Sequence, residues 1–320
     1  MEMNYKAIIR DAWQLTQQNK PIMWWYAFVP ELIGLVVGIG YMGYQIMSFW
    51  KSSIFREYHG ESFAHEAVIF IADFFSKHSS LGILLIIVTA IVLILYLILP
   101  IFSKAALVQL IARKRNGQEV KTVDGVSYGF LHFLPLFEYH LLIKTFSMFS
   151  VLTEISFVVR NLGTGAFEIL CIPYILMFLI GLLLLLLFAY ADYFIIIDGA
   201  KVMQSMGASS KLVIRHWQQT ILMFILMLLI TIRIVFNIVL VLLIPSIIIL
   251  STGLLATFAL AEVGFVVGVI IGLIGMYFAA YLGAILEVFS NSVWVFTFLQ
   301  LTTNEEASAR DAAKSARESA

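Results

Sequence analysis

Apolar residues in this chain are grouped into long runs that polar segments separate. The runs at 81–100, 169–189 and 221–250 each reach the roughly 20 residues that a helix needs to cross a hydrocarbon core about 30 Å thick. Helices satisfy their own backbone hydrogen bonds and are therefore favoured inside a bilayer. The pattern predicts an all-α membrane protein with six transmembrane helices, at about 22–49, 81–103, 130–158, 167–191, 220–250 and 263–289.

The chain before the first apolar run has a different pattern. Tyr5, Ile8, Ala12 and Trp13 recur at helical spacing with polar side chains between them, and Asn4 is suited to cap such a helix. This pattern is typical of an amphipathic helix in the membrane interface. We therefore expect a cytoplasmic interfacial helix at 1–21, a six-span transmembrane domain at 22–301 with an outer loop at 51–80, and a cytoplasmic tail at 302–320.

Basic residues are distributed unequally between the two sides of the predicted spans. Fourteen Lys and Arg residues fall on the side of the two termini, and four fall on the other side, namely Lys51, Arg56, Lys77 and Arg160. Cytoplasmic loops of helical membrane proteins carry an excess of Lys and Arg. The bias predicts that both termini lie in the cytoplasm, which requires an even number of spans.

Composition excludes several classes of function. Hydrophobic residues make up 61% of the chain and charged residues 12%, against roughly 45–50% and 25% in soluble domains. The formal net charge is zero, so the sequence lacks the basic surface that nucleic-acid binding needs. The single cysteine, Cys171, lies in an apolar run, and the His and acidic residues of the outer loop lack metal-ligand spacing. We expect neither a metal nor a cofactor.

Three short segments at the ends of the even-numbered spans resemble one another. Each places an aromatic, a small and a polar residue in the same order: Phe102-Ser103-Lys104, Tyr190-Ala191-Asp192 and Phe289-Ser290-Asn291. Such repetition is typical of membrane proteins built from internal repeats. We expect three helical hairpins that close into a pseudo-threefold ring of six helices.

Small residues follow one stripe on the first span and one on the last. In lipid, small side chains let helix backbones approach closely, and this contact drives association. The stripes are expected to pack within the chain, or against a second copy of it in a homodimer. They consist of Gly34 and Gly38 on the first span, and Gly264, Gly268, Gly272, Ala280 and Ala284 on the last.

Polar residues inside the predicted spans are the candidates for a functional site, since a charge at the bilayer centre costs about 2.5–3.5 kcal/mol on insertion scales. The third span places four polar residues within a narrow arc of one helix face: His140, Lys144, Ser147 and Glu154. In one interpretation the candidates line a polar cavity. In the other, Lys144 or Arg233 pairs with Glu31 or Glu154 as a static contact between helices. The full set is Glu31, His140, Lys144, Glu154, Arg233 and Asn237.

Two parts of the chain resemble a known family. The segment 191–199, followed by Ser209-Ser210-Lys211-Leu212, Trp217 and Pro245, resembles a six-helix family of bacterial inner-membrane proteins. That family includes the membrane domain of some glycerophosphodiester phosphodiesterases and many uncharacterised proteins. The N-terminal pattern of 11–15, Asn19-Lys20 and Trp24-Trp25 looks like that family's opening. The resemblance implies the fold and a bacterial inner-membrane location, and no functional residue is transferred through it.

No catalytic residue is predicted. The sequence has no GxSxG nucleophile elbow, Walker loop or HExxH zinc motif, so an enzyme is not favoured. We expect a non-enzymatic integral membrane protein that acts as an accessory or scaffold subunit of a membrane complex, with the lipid bilayer and a membrane protein as its partners. The alternative is a carrier or channel for a small anion or amphiphile, in which Lys144 and Arg233 attract charge.

Overall fold

Every regular element in the described part of the chain is a helix. The computed structural model describes residues 4–50, 68–69, 72–73, 75–77, 79–144, 146–256 and 261–318. One segment, Trp24–Phe28, is π-helical. The prediction of an all-α fold is confirmed. The helices are α1 (Tyr5–Gln18), α2 (Lys20–Met23), α3 (Val29–Trp50), α4 (Ser79–Arg115), α5 (Asp124–Lys144), α6 (Met148–Leu187), α7 (Ala191–Ile196), α8 (Val202–Arg215), α9 (Trp217–Ala256) and α10 (Ala261–Glu318).

Five helical stretches in the described ranges are long and apolar enough to cross a membrane. Each of them exposes a run of large aliphatic side chains over part of its length, as water-soluble surfaces rarely do. A multi-pass membrane protein is the class that accounts for such surfaces. The predicted outer loop at 51–80 lies mostly outside the described residues. The stretches are Lys20–Ser48, Leu81–Arg115, Leu162–Leu187, Trp217–Leu240 and Val269–Glu305.

The third predicted span is interrupted. Its sequence was expected to form one helix over 130–158, but α5 ends at Lys144 and α6 begins at Met148. The prediction of a continuous helix is wrong at this point. The short turn predicted at 161–165 is confirmed, because α6 bends at Gly163, whose φ of 83° lies in the left-handed region that favours glycine.

The N-terminal helix begins where its cap was predicted. The side chain of Asn4 accepts a hydrogen bond from the backbone N–H of Ala7 at 3.1 Å, which satisfies one of the free donors of the first turn. Ile8, Ala12 and Thr16 form the buried face of α1. The predicted N-cap and helix are confirmed.

The described chain divides into two compact units. The first comprises Met1–Leu32, Pro100–Leu136 and Leu187–Ala320, and the second comprises Ile33–Leu99 and Phe137–Leu186. In the first unit α1 packs on α10, and α9 also packs along α10. The end of α4 lies at its centre, where the six side chains of Ala105, Ala106, Leu107, Val108, Leu110 and Ile111 are completely buried.

A chain of polar side chains crosses the second unit. Arg160 donates to the side-chain oxygen of Gln45 at 2.8 Å, and its guanidinium lies 5.4 Å from the ring centre of Tyr44. Gln45 in turn donates to the hydroxyl of Tyr41, which lies 3.3 Å from the hydroxyl of Thr153. These contacts link α3 to two positions of α6, Thr153 and Arg160.

Close packing of α5 on α4 depends on Gly129. A Cβ at Gly129 would lie 2.6–2.9 Å from ring atoms of Phe102, well inside van der Waals contact. We expect Gly129→Ala to lower the free energy of unfolding by about 1–3 kcal/mol through overpacking. Gly34→Ala is the matched control: no described atom lies within 4 Å of its added Cβ, so improved helix propensity should leave it unchanged or stabilised by up to about 1 kcal/mol. Denaturant titration in micelles measures both, and equal stabilities would contradict the packing argument.

Candidate functional site

An ion pair lies at the centre of the first unit. Lys104, four residues after Pro100 in α4, binds the carboxylate of Asp192 in the first turn of α7. The two side chains are 25% and 13% exposed, and the residues that follow Lys104 in α4 are completely buried. Because burial weakens solvent screening, removal of either partner would leave the other as an enclosed charge without a counter-ion.

Two further carboxylates of the first unit lie on α10 or against it. Glu31 of α3 packs against Gly283 of α10: a Cβ at Gly283 would lie 2.9 Å from Glu31 Oε2. Glu287, one helical turn beyond Gly283, accepts two hydrogen bonds from the Asn291 side chain, at 2.9 Å on its backbone oxygen and 2.7 Å on its carboxylate. The glycine therefore gives Glu31 room to lie on the same part of α10 as Glu287.

These groups form one electrostatic cluster. The Lys104 ammonium contacts Asp192, and the charge of Glu287 is close enough to act on both Lys104 and Glu31. Burial raises the pKa of Tyr193, with the charges of Asp192 and Glu287 raising it further, so its phenol stays protonated and neutral. We name Glu31, Lys104, Asp192, Glu287 and Asn291 the charged cluster.

The charged cluster joins the three echoed segments. Lys104, Asp192 and Asn291 each occupy the third, polar position of its segment. Lys104 binds Asp192 directly, while Asn291 binds Glu287, whose charge acts on Lys104. Lys104 and Asp192 thus meet directly, and Asn291 is linked to them only through the charge of Glu287. The repeat itself stays a prediction.

A second polar network closes the end of α6. The hydroxyl of Ser209 in α8 donates to the carbonyl of Leu187 at 2.8 Å and accepts the backbone N–H of Tyr190 at 3.1 Å. The Tyr190 hydroxyl lies 3.2 Å from that of Thr220 in α9. These bonds satisfy backbone groups that the end of a helix would otherwise leave unpaired in an apolar setting.

The candidates predicted for the third span do not share a helical face. His140, half-buried on α5, stacks edge-on against Tyr139 with ring centres 5.5 Å apart. Lys144 is the last residue of α5, and its side chain lies outside the described part. Glu154 is exposed on α6. The expected arc is wrong because α5 ends at Lys144, whereas Glu154 lies on α6, which begins at Met148.

The remaining polar candidates separate into two places. Glu31 belongs to the charged cluster, whereas Arg233 and Asn237 are exposed, one turn apart, on α9. No ion pair among the described side chains includes Glu31 or Arg233. Static pairing of Arg233 with Glu31, which both belong to the first unit, is therefore not observed.

The small-residue stripes differ along their length. Ala280 and Ala284 are buried in α10, beside the unpredicted contact residue Gly283. An added Cβ at Gly34 or Gly38 would meet no described atom within 4 Å. Gly272 is half-buried, while the burial of Gly264 and Gly268 lies outside the description. Packing of one stripe on the other stays a prediction.

Sequence reasoning missed most of the charged cluster. Lys104, Asp192 and Glu287 lie at or next to the ends of the predicted spans at 81–103, 167–191 and 263–289, where a charge costs little because its side chain can reach the interface. The useful signal was the recurrence of the aromatic, small and polar triplet, which placed Lys104 and Asp192 in equivalent positions. Across the described ranges, no group of three His, Cys, Asp or Glu residues is arranged to hold a metal ion.

Comparison with protein-family models, curated proteins and solved structures gave no match. The resemblance to the six-helix inner-membrane family therefore stays a prediction. The helical fold and the five apolar helices define the class of this chain as an α-helical multi-pass membrane protein.

Proposed function

We propose that this protein is a non-enzymatic subunit of a membrane complex, and that it binds a partner's transmembrane helix on the face of α9 that carries Arg233. The observation that carries the proposal is the exposure of a charged residue deep within an apolar helix. Asn237 is exposed one turn further along the same face. The complementary partner is a helix with an Asp or Glu side chain at the matching depth.

The depth of Arg233 supports a role in binding. At 1.5 Å per residue, Arg233 lies about 18 Å along the helix axis from Ile221, where the apolar part of α9 begins. This distance is past the middle of a hydrocarbon core about 30 Å thick. A charge there costs about 2.5–3.5 kcal/mol on insertion scales. An acidic side chain on a partner helix would remove most of that cost.

The surroundings of Arg233 have the form of a helix-packing face. Residues three and four apart lie on one side of a helix, and such a stripe includes four apolar residues besides Arg233 and Asn237. The apolar members are Leu229, Ile232, Phe236 and Leu240, at 62%, 55%, 62% and 42% exposure. Apolar contacts would supply the packing, and the charge would select a partner with an acidic residue.

The proposed membrane arrangement has six spans. The five apolar helices supply five, and α5 with the first part of α6 supplies the sixth, which is interrupted between Lys144 and Met148. The excess of Lys and Arg on one side supports cytoplasmic termini and a location in a bacterial inner membrane. The charged cluster supports the pseudo-threefold ring, since it contains the polar residue of all three repeats.

Photo-crosslinking tests the proposed face. With a photoreactive residue at Phe236, in the stripe, we expect one defined adduct with a membrane protein in native membranes. Val235 is the matched control because it is 45% exposed yet lies about 200° around the helix from Arg233. Arg233→Leu should abolish the Phe236 adduct.

Three outcomes would contradict the proposal. They are equal adducts from the two sites, adducts that persist in Arg233→Leu, and adducts with lipid alone. Anion flux through vesicles that contain the purified protein, lost in Arg233→Leu, would instead support the carrier alternative.

A further inference from the structure

A polar cavity opens where the first and second apolar spans reach the side of the N-terminus. It has a volume of about 440 Å³, within the range of small-molecule sites. Its lining combines the second half of α1 with the last turn of α4 and Phe296 of α10. All of these residues belong to the first unit.

Positive charge dominates the lining. Lys114 and Arg115 are the cations, and Asp11 is the carboxylate among the lining residues. Arg115 lies 3.2 Å from Asp11 and 4.5 Å above the ring centre of Phe296, so its guanidinium is held in place before any ligand arrives. Asp11 also has Arg10 at 3.6 Å, which leaves the surroundings of the cavity with a positive balance.

Lys114 retains donors for a ligand. Its ammonium donates to the Asn19 side chain, and an ammonium carries three N–H donors. The side-chain amides of Gln14 and Gln18 also line the cavity. Amide and ammonium donors around one space suit the oxygen atoms of a phosphate group.

The position of the cavity favours a ligand that comes from the membrane. The span that begins at Lys20 starts directly after Asn19, and the span that ends at Arg115 finishes in the cavity wall. Trp24 and Trp25, exposed by 37% and 70%, follow within two turns. Exposed tryptophans mark the headgroup level of a bilayer, where basic pockets between helices bind anionic lipids.

We propose that this cavity binds the phosphodiester headgroup of an anionic phospholipid from the adjoining leaflet. Lys114 and Arg115 hold the phosphate oxygens, and the amides of α1 bind the polar part of the headgroup. This site shares no residue with the α9 face, so the two proposals can fail separately.

Native mass spectrometry in mild detergent with added phosphatidylglycerol tests the site. We expect one lipid retained per chain, and at least about tenfold weaker binding in Lys114→Gln, since a hydrogen bond to a charged group is lost. Lys211→Gln, at an exposed position of α8, is the matched control and should bind like the parent protein. Gln18→Trp provides a second variant that fills the cavity while leaving its charges in place, and it should bind equally weakly.

Several results would overturn the assignment. Equal retention of phosphatidylcholine would show that negative charge is not recognised. Equal affinity for soluble glycerophosphoglycerol would show that the ligand is a soluble phosphodiester and not a lipid. Undiminished binding in a folded Lys114→Gln or Gln18→Trp protein, judged by its thermal melt, would place the lipid elsewhere.

Discussion

Lys104→Met is expected to lower the free energy of unfolding by about 3–5 kcal/mol, because it leaves the Asp192 carboxylate enclosed without its ammonium partner. The loss should be visible as an earlier transition in denaturant titration of the detergent-solubilised protein. Lys211→Met, at an exposed position of α8, should stay within about 0.5 kcal/mol of the parent.

A double variant separates the contribution of the ion pair to stability from that of the packing around it. Lys104→Met with Asp192→Leu removes both charges and should recover at least half of the loss, since apolar replacement of a buried pair is often neutral or stabilising. Additive losses in the double variant would contradict the assignment of the pair as a single enclosed unit. A Lys104→Met protein as stable as the Lys211→Met control would contradict the conclusion that the ion pair is enclosed.

Tyr190→Ala should produce a loss of similar size for a different reason. The side chain is completely buried, and its ring lies edge-on to Trp294 at 5.8 Å between ring centres. Removing it leaves a cavity, for which about 3–5 kcal/mol is expected. Loss of the hydrogen bond with Thr220 accounts for the smaller part of this decrease in the free energy of unfolding.

Tyr190→Phe measures that smaller part, because it keeps the ring and removes the hydroxyl. We expect a loss of about 1 kcal/mol, and Thr220→Val should match it. Losses of equal size in the alanine and phenylalanine variants would contradict the view that ring packing holds the end of α6 in place. Thermal melts of the four proteins under one condition provide the comparison.

Features governed by local rules could be predicted from the sequence. Asn4 could be identified as a cap because its side chain and position suit the free N–H groups of a first turn. The bend at Gly163 followed from a cluster of turn residues within an apolar stretch. Glu31 was selected because a carboxylate in an apolar run needs a special environment, and it has one in the charged cluster.

Features governed by tertiary packing could not be predicted. No Pro or Gly lies between Lys144 and Met148. The hydrophobic pattern therefore continues across the break and predicts a single helix. Gly283 is one of many small residues in α10, and only the approach of Glu31 distinguishes it. Lys104 and Asp192 are 88 positions apart, and the echoed triplets indicated their equivalence without indicating their contact.

The α9 face also shows where sequence reasoning stops. The apolar run around Arg233 predicted depth in the membrane, and helical spacing placed Asn237 beside it. Whether the face turns inward or outward depends on the neighbours of α9, which sequence periodicity does not specify. Both residues are exposed, which favours a partner helix over an internal cavity as their surroundings.

Affinity purification of the tagged protein from native membranes tests the proposed role most directly. Mass spectrometry should find one membrane protein in stoichiometric yield with the parent and with Arg233→Lys, which keeps the charge. With Arg233→Leu its recovery should fall at least about tenfold, since loss of one member of a buried charge pair weakens an interface by about 2–5 kcal/mol. Equal recovery with the parent and Arg233→Leu, or no membrane protein with either, would contradict the proposal that α9 binds an acidic partner helix.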